Sequence, residues 1–125
     1  MQEEVKRIYV TGIAGREDYA WEYAIYTADA PPMYVTGSLS IQPSNRLLGP
    51  ILLGLRAALI QAGEGSPSYV HLPYSDYRML DDVEYFSEIT DLYQLIDERA
   101  YNIQLQSFAA IEEKISDSRI HNRRK

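Results

Sequence analysis

The hydrophobic pattern of this chain begins at a strand-like period and shifts to a helical one after residue 43. In residues 5–13, Val5, Ile8, Tyr9, Val10 and Ile13 alternate only partly with polar neighbours, but β-branched and aromatic types favour a strand. Gly12 and Gly15, followed by Arg16-Glu17-Asp18, predict a turn. Tyr19 to Thr27 is rich in aromatic residues and reads as a second strand. Ala28-Asp29-Ala30-Pro31-Pro32 is expected to interrupt the ladder, because consecutive prolines supply no N–H to it. Met33 to Ile41 then predicts a third strand, and the short connections predict an antiparallel meander.

Pro43-Ser44-Asn45 starts a helical pattern in which Leu48, Ile51, Leu52, Leu55, Ala58 and Leu59 recur until Gly63. Pro50 fits that helix only in its first turn, where a missing N–H costs little. Gly54 weakens a helix by roughly 1 kcal/mol against alanine, which points to close packing on the sheet. Ser68 to Leu72 predicts a fourth strand, reached by a right-handed crossover. Residues 76–98 predict a second helical region with Leu92, Tyr93, Leu95 and Ile96 inward. Tyr101 to Phe108 alternates as a fifth strand, and Ala109 to about Asn122 closes as a helix with Ile111 and Ile115 inward. The predicted order is β-β-β-α-β-α-β-α in one α/β domain spanning 1–125, without repeats or linkers.

Charge divides the chain unevenly. Residues 1–113 carry 17 acids and 7 bases, whereas residues 114–125 carry one acid, Asp117, and five bases. The body therefore repels phosphate backbones, and only the short basic tail at about 119–125, with Arg123 and Arg124, attracts them. Nucleic-acid binding is expected to be weak or absent. No apolar run approaches the ~20 residues of a membrane span, and Met1-Gln2-Glu3-Glu4 reads as neither a secretory signal nor a transit peptide. The absence of cysteine rules out disulfides, thiolate zinc sites and cysteine nucleophiles, and accords with a cytoplasmic protein.

Several chemistries lack their residues. His71 and His121 are the only histidines, too few for a histidine-rich zinc site; His71 reads as a packed strand residue and His121 as solvated. There is no Gly-x-Ser-x-Gly elbow, and Gly12-Ile13-Ala14-Gly15 lacks the lysine of a phosphate loop. More distinctive are the eleven tyrosines and the acidic stretch Asp76 to Glu98, which holds eight acids against Arg78. Asp81, Asp82, Glu84 and Glu88, with Tyr77 and Tyr85, are the expected binding residues of that stretch. Tyrosine pairs contact area with a polar handle, as protein interfaces require.

Three segments together carry a resemblance. Ile8-Tyr9-Val10-Thr11-Gly12, Ser44-Asn45-Arg46-Leu47-Leu48 and Leu72-Pro73-Tyr74-Ser75-Asp76-Tyr77 each resemble a stretch bearing one active-site carboxylate in ribonuclease H of the HI type. Family members read roughly Tyr-Thr-Asp-Gly, Asn-Asn-Arg-x-Glu and Thr-Asp-Ser. Asp91-Leu92-Tyr93-Gln94-Leu95-Ile96-Asp97 is similar to the family's Asp-Leu-Trp-Gln-x-Leu-Asp helix. The resemblance covers nearly the whole chain. It implies a ribonuclease H-like mixed five-stranded sheet, three antiparallel strands followed by parallel crossovers, flanked by helices.

The family's chemistry, hydrolysis of the RNA strand of a hybrid by two magnesium ions, needs converging carboxylates. Here Thr11, Leu48 and Tyr74 stand at the acidic positions, and only Asp117 matches the family's fourth acid as a possible relic. The expectation is a catalytically inactive module, without cofactor, that binds a protein, a basic one among the candidates, or its own copy as a homodimer. Two alternatives stand beside it. One is an acidic mimic of nucleic acid that inhibits a nucleic-acid-binding protein. The other is a divergent nuclease that holds magnesium through Asp18, Asp76 and Asp117.

Overall fold

The computed structural model describes residues 5–14, 19–28, 30–39, 48–63, 68–73 and 91–123. Strands β1 (Lys6–Ala14), β2 (Tyr19–Thr27) and β3 (Ala30–Leu39) form the antiparallel meander, followed by α1 (Leu48–Ala62), β4 (Ser68–Pro73), α2 (Leu92–Arg99), β5 (Ala100–Gln106) and α3 (Phe108–Arg123). The sheet order is β3-β2-β1-β4-β5, with β4 parallel to both β1 and β5. The fold class and order of elements are those the sequence predicts. No described helix is long and apolar enough to cross a membrane.

Alternation divides the sheet between two layers. Ile8 and Val10 of β1, Tyr23 and Ile25 of β2, and Val70 and Leu72 of β4 pack against Ile51, Leu52, Leu55, Ala58 and Leu59 of α1, with Leu92 and Leu95 of α2. Tyr9 and Ala24 face the other way, onto Ile111 and Ile115 of α3. Each fully buried Leu or Ile contributes roughly 1.5–3 kcal/mol from the area it removes from water. Tyr9 and Tyr23 are core residues.

The helices show how the sequence places their ends. Pro50 falls in the first turn of α1. Gly63 takes a positive φ of 79° just past α1, and its N–H reaches the Leu59 carbonyl at 3.3 Å. Lys6 Nζ donates to the Ala62 carbonyl at 2.6 Å and Arg99 Nη1 to the Leu59 carbonyl at 3.1 Å, so cations meet the negative end of the helix. Arg56 clamps α1 to the start of α2 through Asp91, with Nε–Oδ1 at 2.7 Å and Nη2–Oδ2 at 3.1 Å. That bidentate contact holds the Asp91 carboxyl below its ordinary range.

Three boundaries differ from expectation. The third strand begins at Ala30 and includes both prolines, because β3 lies at the sheet edge and Pro31 and Pro32 fall in a register shift between Thr27↔Ala30 and Ile25↔Met33. A shift of this kind asks no N–H of either proline. The fifth strand stops at Gln106, since Ser107 caps α3 by accepting the Ala110 N–H at 3.1 Å. Of the helical region expected over 76–98, residues 92–99 form α2, and residues 76–90 lie outside the described residues.

Gly54 has the close-packing role its position implied. A Cβ there would meet Trp21 Cβ at 2.9 Å and Val10 Cγ1 at 3.0 Å. Alanine gains about 1 kcal/mol of helix propensity but adds an overpacking penalty of about 1–3 kcal/mol. Gly54→Ala is therefore expected to lower the urea midpoint, and Gly54→Val to lower it further. An alanine variant more stable than the wild type would refute the close approach of α1 to β2.

Candidate functional site

At the position where the resemblance places the first acid, the sheet carries Thr11, 4% exposed and facing α3. Its Cα partner on β2 is Glu22, also 4% exposed. Arg119 of α3 reaches across, with Nη2 donating to Glu22 Oε2 at 2.5 Å, and the Tyr34 hydroxyl of β3 donates to the same oxygen. Arg119 also stacks its guanidinium 5.4 Å from the centre of the Tyr34 ring and lies 3.5 Å from Glu112 Oε1. The Tyr34 hydroxyl is pushed above its ordinary range by burial and by its bond to Glu22. Arg119 is held more firmly protonated by Tyr34 and then Glu22.

This arrangement binds three elements together and neutralises the carboxylate beside Thr11. A divalent cation there would have to displace Arg119 from Glu22. In the sequence Glu22 is one acid within the aromatic strand 19–27 and Arg119 one base at the start of the basic tail, and nothing there pairs them. Position 119 lies inside α3, within the helix expected over 109–122, and that helix continues to Arg123. The 97-residue separation of the two partners is what hid them.

A second polar group lies on the same face. His71 of β4 is 3% exposed, stacks on Tyr9 at 4.4 Å with 10° between planes, and has a protein hydrogen-bond partner at neither ring nitrogen. Burial, then Arg7 and Lys114, push its pKa below 6.5. The neutral ring is therefore the native form, as a packed strand histidine should be. As pH falls below 6.5 the unfolded chain takes up a proton that the native state refuses. Stability must decline there, at a slope approaching ~1.4 kcal/mol per pH unit until the native pKa is reached. His71→Phe is expected to remove that decline from a series of urea melts between pH 7 and 5, and an unchanged series would show that His71 does not cause it.

The remaining residues named from the sequence fall on separate described elements or outside the described residues. Leu48 is the first residue of α1. Asp117 sits ten residues into α3, exposed and close enough to Tyr26 to raise its hydroxyl pKa after burial has done so. Tyr26 is four positions along β2 from Glu22, about 13 Å at the strand rise. Tyr74, Asp76, Asp18, Tyr77, Asp81, Asp82, Glu84, Tyr85, Glu88 and Arg124 lie outside the described residues. Of the acidic stretch, Asp91 is paired with Arg56, while Asp97 and Glu98 are exposed on α2. Among the described residues no three acidic or histidine side chains are grouped to hold a metal ion.

Neither a protein-family model nor a curated protein matches the sequence. Solved structures do match in fold. RNase H1 from the halophilic archaeon Halobacterium salinarum NRC-1 is similar with a TM-score of 0.57 and 16% identity, over 90% of this chain and 98% of that one. The N-terminal RNase H domain of Rv2228c from Mycobacterium tuberculosis, solved as a fusion with maltose-binding protein, gives a TM-score of 0.53 and 12% identity, over 94% of this chain and 97% of that one.

Proposed function

We propose that this ribonuclease H-like chain is a non-catalytic binding or assembly module whose partner is a protein. The observation that carries the reading is the fate of the carboxylate beside Thr11. Glu22 is buried, and its Oε2 is committed to Arg119 and Tyr34, an arrangement that supports the fold and sets a guanidinium against the carboxylate where a cation would have to approach. The position that an acid would need for metal chemistry holds a buried threonine.

For the partner, the supporting feature is the acidic stretch 76–98, of which Asp97 and Glu98 project from α2 into solvent while Leu92 and Leu95 anchor that helix to the core. A partner with a complementary basic surface meets such a face with favourable long-range electrostatics. The test is calorimetric titration of magnesium and manganese into the protein, with an RNA–DNA hybrid cleavage assay on the same sample. Neither saturable metal binding nor cleavage is expected. Saturable binding together with cleavage would overturn the reading. In parallel, a protein retained by the immobilised wild type should be lost when Asp97, Glu98 and the acids of 81–88 are changed to amides, and retention by both forms would remove the acidic face from the proposal.

A further inference from the structure

The end of the sheet away from Thr11 carries a cavity that the reading above does not use. Its volume is about 410 Å³, within the range of small-molecule sites. It is lined by Val5 and Arg7 of the β1 end, Tyr26, Thr27 and Ala28 of the β2 end, and Tyr69 of β4. Register explains the convergence. Arg7 is the Cα partner of Tyr26 on one side and of Tyr69 on the other, so the three side chains form a row across adjacent strands.

Two cations serve this row. The Arg7 guanidinium lies 5.2 Å from the centre of the Tyr69 ring, and Lys114 Nζ reaches over Tyr26 at 5.6 Å from α3. Among the described residues the ion pairs use Arg56 and Arg119, and no carboxylate lies within ion-pair distance of Arg7 or Lys114. Asp117 is the acid that faces Tyr26 from the same helix. In a chain of net charge −6, two cations thus rest on tyrosine rings beside this cavity.

The floor beneath is aromatic. Tyr26 meets Tyr9 edge-to-face at 5.5 Å, and Tyr9 stacks on His71, whose buried nitrogens lack protein partners. The cavity is far larger than inorganic phosphate requires, and its lining offers apolar and ring surface as well as charge. The acidic body disfavours a long polyanion.

We propose that this cavity binds one small planar anion, an aromatic ring carrying a phosphate or a carboxylate, with the ring against Tyr26 and Tyr69 and the anionic group held by Arg7 and Lys114. Recognition then divides between stacking, to which arginine also contributes through its planar group, and charge-assisted hydrogen bonds.

Calorimetric titration separates the parts. Adenosine monophosphate probes the ring phosphate and 4-hydroxybenzoate the ring carboxylate, with adenosine and inorganic phosphate as the two halves of the first. Saturable binding of at least one ring anion is expected, about tenfold or more tighter than adenosine or phosphate alone. Arg7→Gln and Lys114→Gln, both at exposed positions, should each weaken it by about tenfold, while Gln61→Ala, exposed on α1, leaves it unchanged. Thermal melts confirm that the variants remain folded. Saturation by the phosphate probe alone identifies a phosphate site, and by 4-hydroxybenzoate alone a carboxylate site. Failure of both to saturate would overturn the proposal. So would inorganic phosphate binding as tightly as adenosine monophosphate, or an affinity that survives loss of both cations.

Discussion

Arg119→Ala is expected to destabilise the protein by about 3–5 kcal/mol at pH 8, because it strands a buried charge. Glu22 has a side chain only 5% exposed and two polar partners, Arg119 and the Tyr34 hydroxyl. Removing Arg119 leaves the hydroxyl alone to stabilise a carboxylate largely cut off from water. Glu22→Gln should cost much less. Arg119 is 29% exposed and retains Glu112 within 3.5 Å, so it can turn towards solvent when Glu22 is neutral. The two single variants thus differ although they break the same pair, and the ordering distinguishes a buried carboxylate from a surface salt bridge, for which both losses would be within about 1 kcal/mol.

The pH dependence has a definite sign. In Arg119→Ala a proton on Glu22 relieves the stranded charge, so the native variant binds protons more readily than its unfolded chain. Its stability relative to wild type then rises as pH falls. Urea melts at pH 8 and pH 5 should show the deficit shrinking in acid, and Glu22→Gln/Arg119→Ala should be more stable at pH 8 than Arg119→Ala alone. A deficit below about 1 kcal/mol at pH 8 would mean that Glu22 is solvated.

What the sequence reveals about this molecule follows the range of the interaction concerned. Strand and helix identities depend on neighbours a few residues apart, so β1, β2, α1 and α3 are legible, as are the first-turn position of Pro50 and the close approach at Gly54. The sequence misplaces the start of β3 because the prohibition on proline applies to a paired interior strand. Whether Pro31 and Pro32 sit at an edge shift depends on sheet order. The end of β5 depends on one serine oxygen competing for the Ala110 N–H, a contest that alternation does not register. The site is harder still. Thr11 stands out only through its resemblance to an acidic position, while its neighbour Glu22 acquires meaning from Arg119 at the far end of the chain. The row Tyr26–Arg7–Tyr69 likewise needs three strands in register before its residues meet, although the shared parity of Arg7, Tyr9 and Thr11 already places them on one face.

An acid at position 11, where the resemblance to ribonuclease H would put one, is expected to harm this protein. Thr11→Asp sets a carboxylate at a position 4% exposed, directly across from Glu22, with Cβ atoms of such pairs about 4.5–5.5 Å apart. One guanidinium already engaged by Glu22 cannot neutralise two acids, and like charges this close cannot both ionise without penalty. A loss of about 3 kcal/mol or more at pH 8 is expected, with a smaller loss for Thr11→Asn, which has nearly the same shape without the charge. Lowering the pH should narrow the gap between the two variants, since a proton on either acid removes the repulsion. Magnesium decides what the gap means. If Arg119 and Tyr34 have taken over the coordination capacity of Glu22, added magnesium leaves the Thr11→Asp melt where it is. If magnesium instead restores the variant to wild-type stability, Glu22 remains available as a ligand, the site is one substitution from holding a cation, and the non-catalytic reading fails at the residue on which it rests.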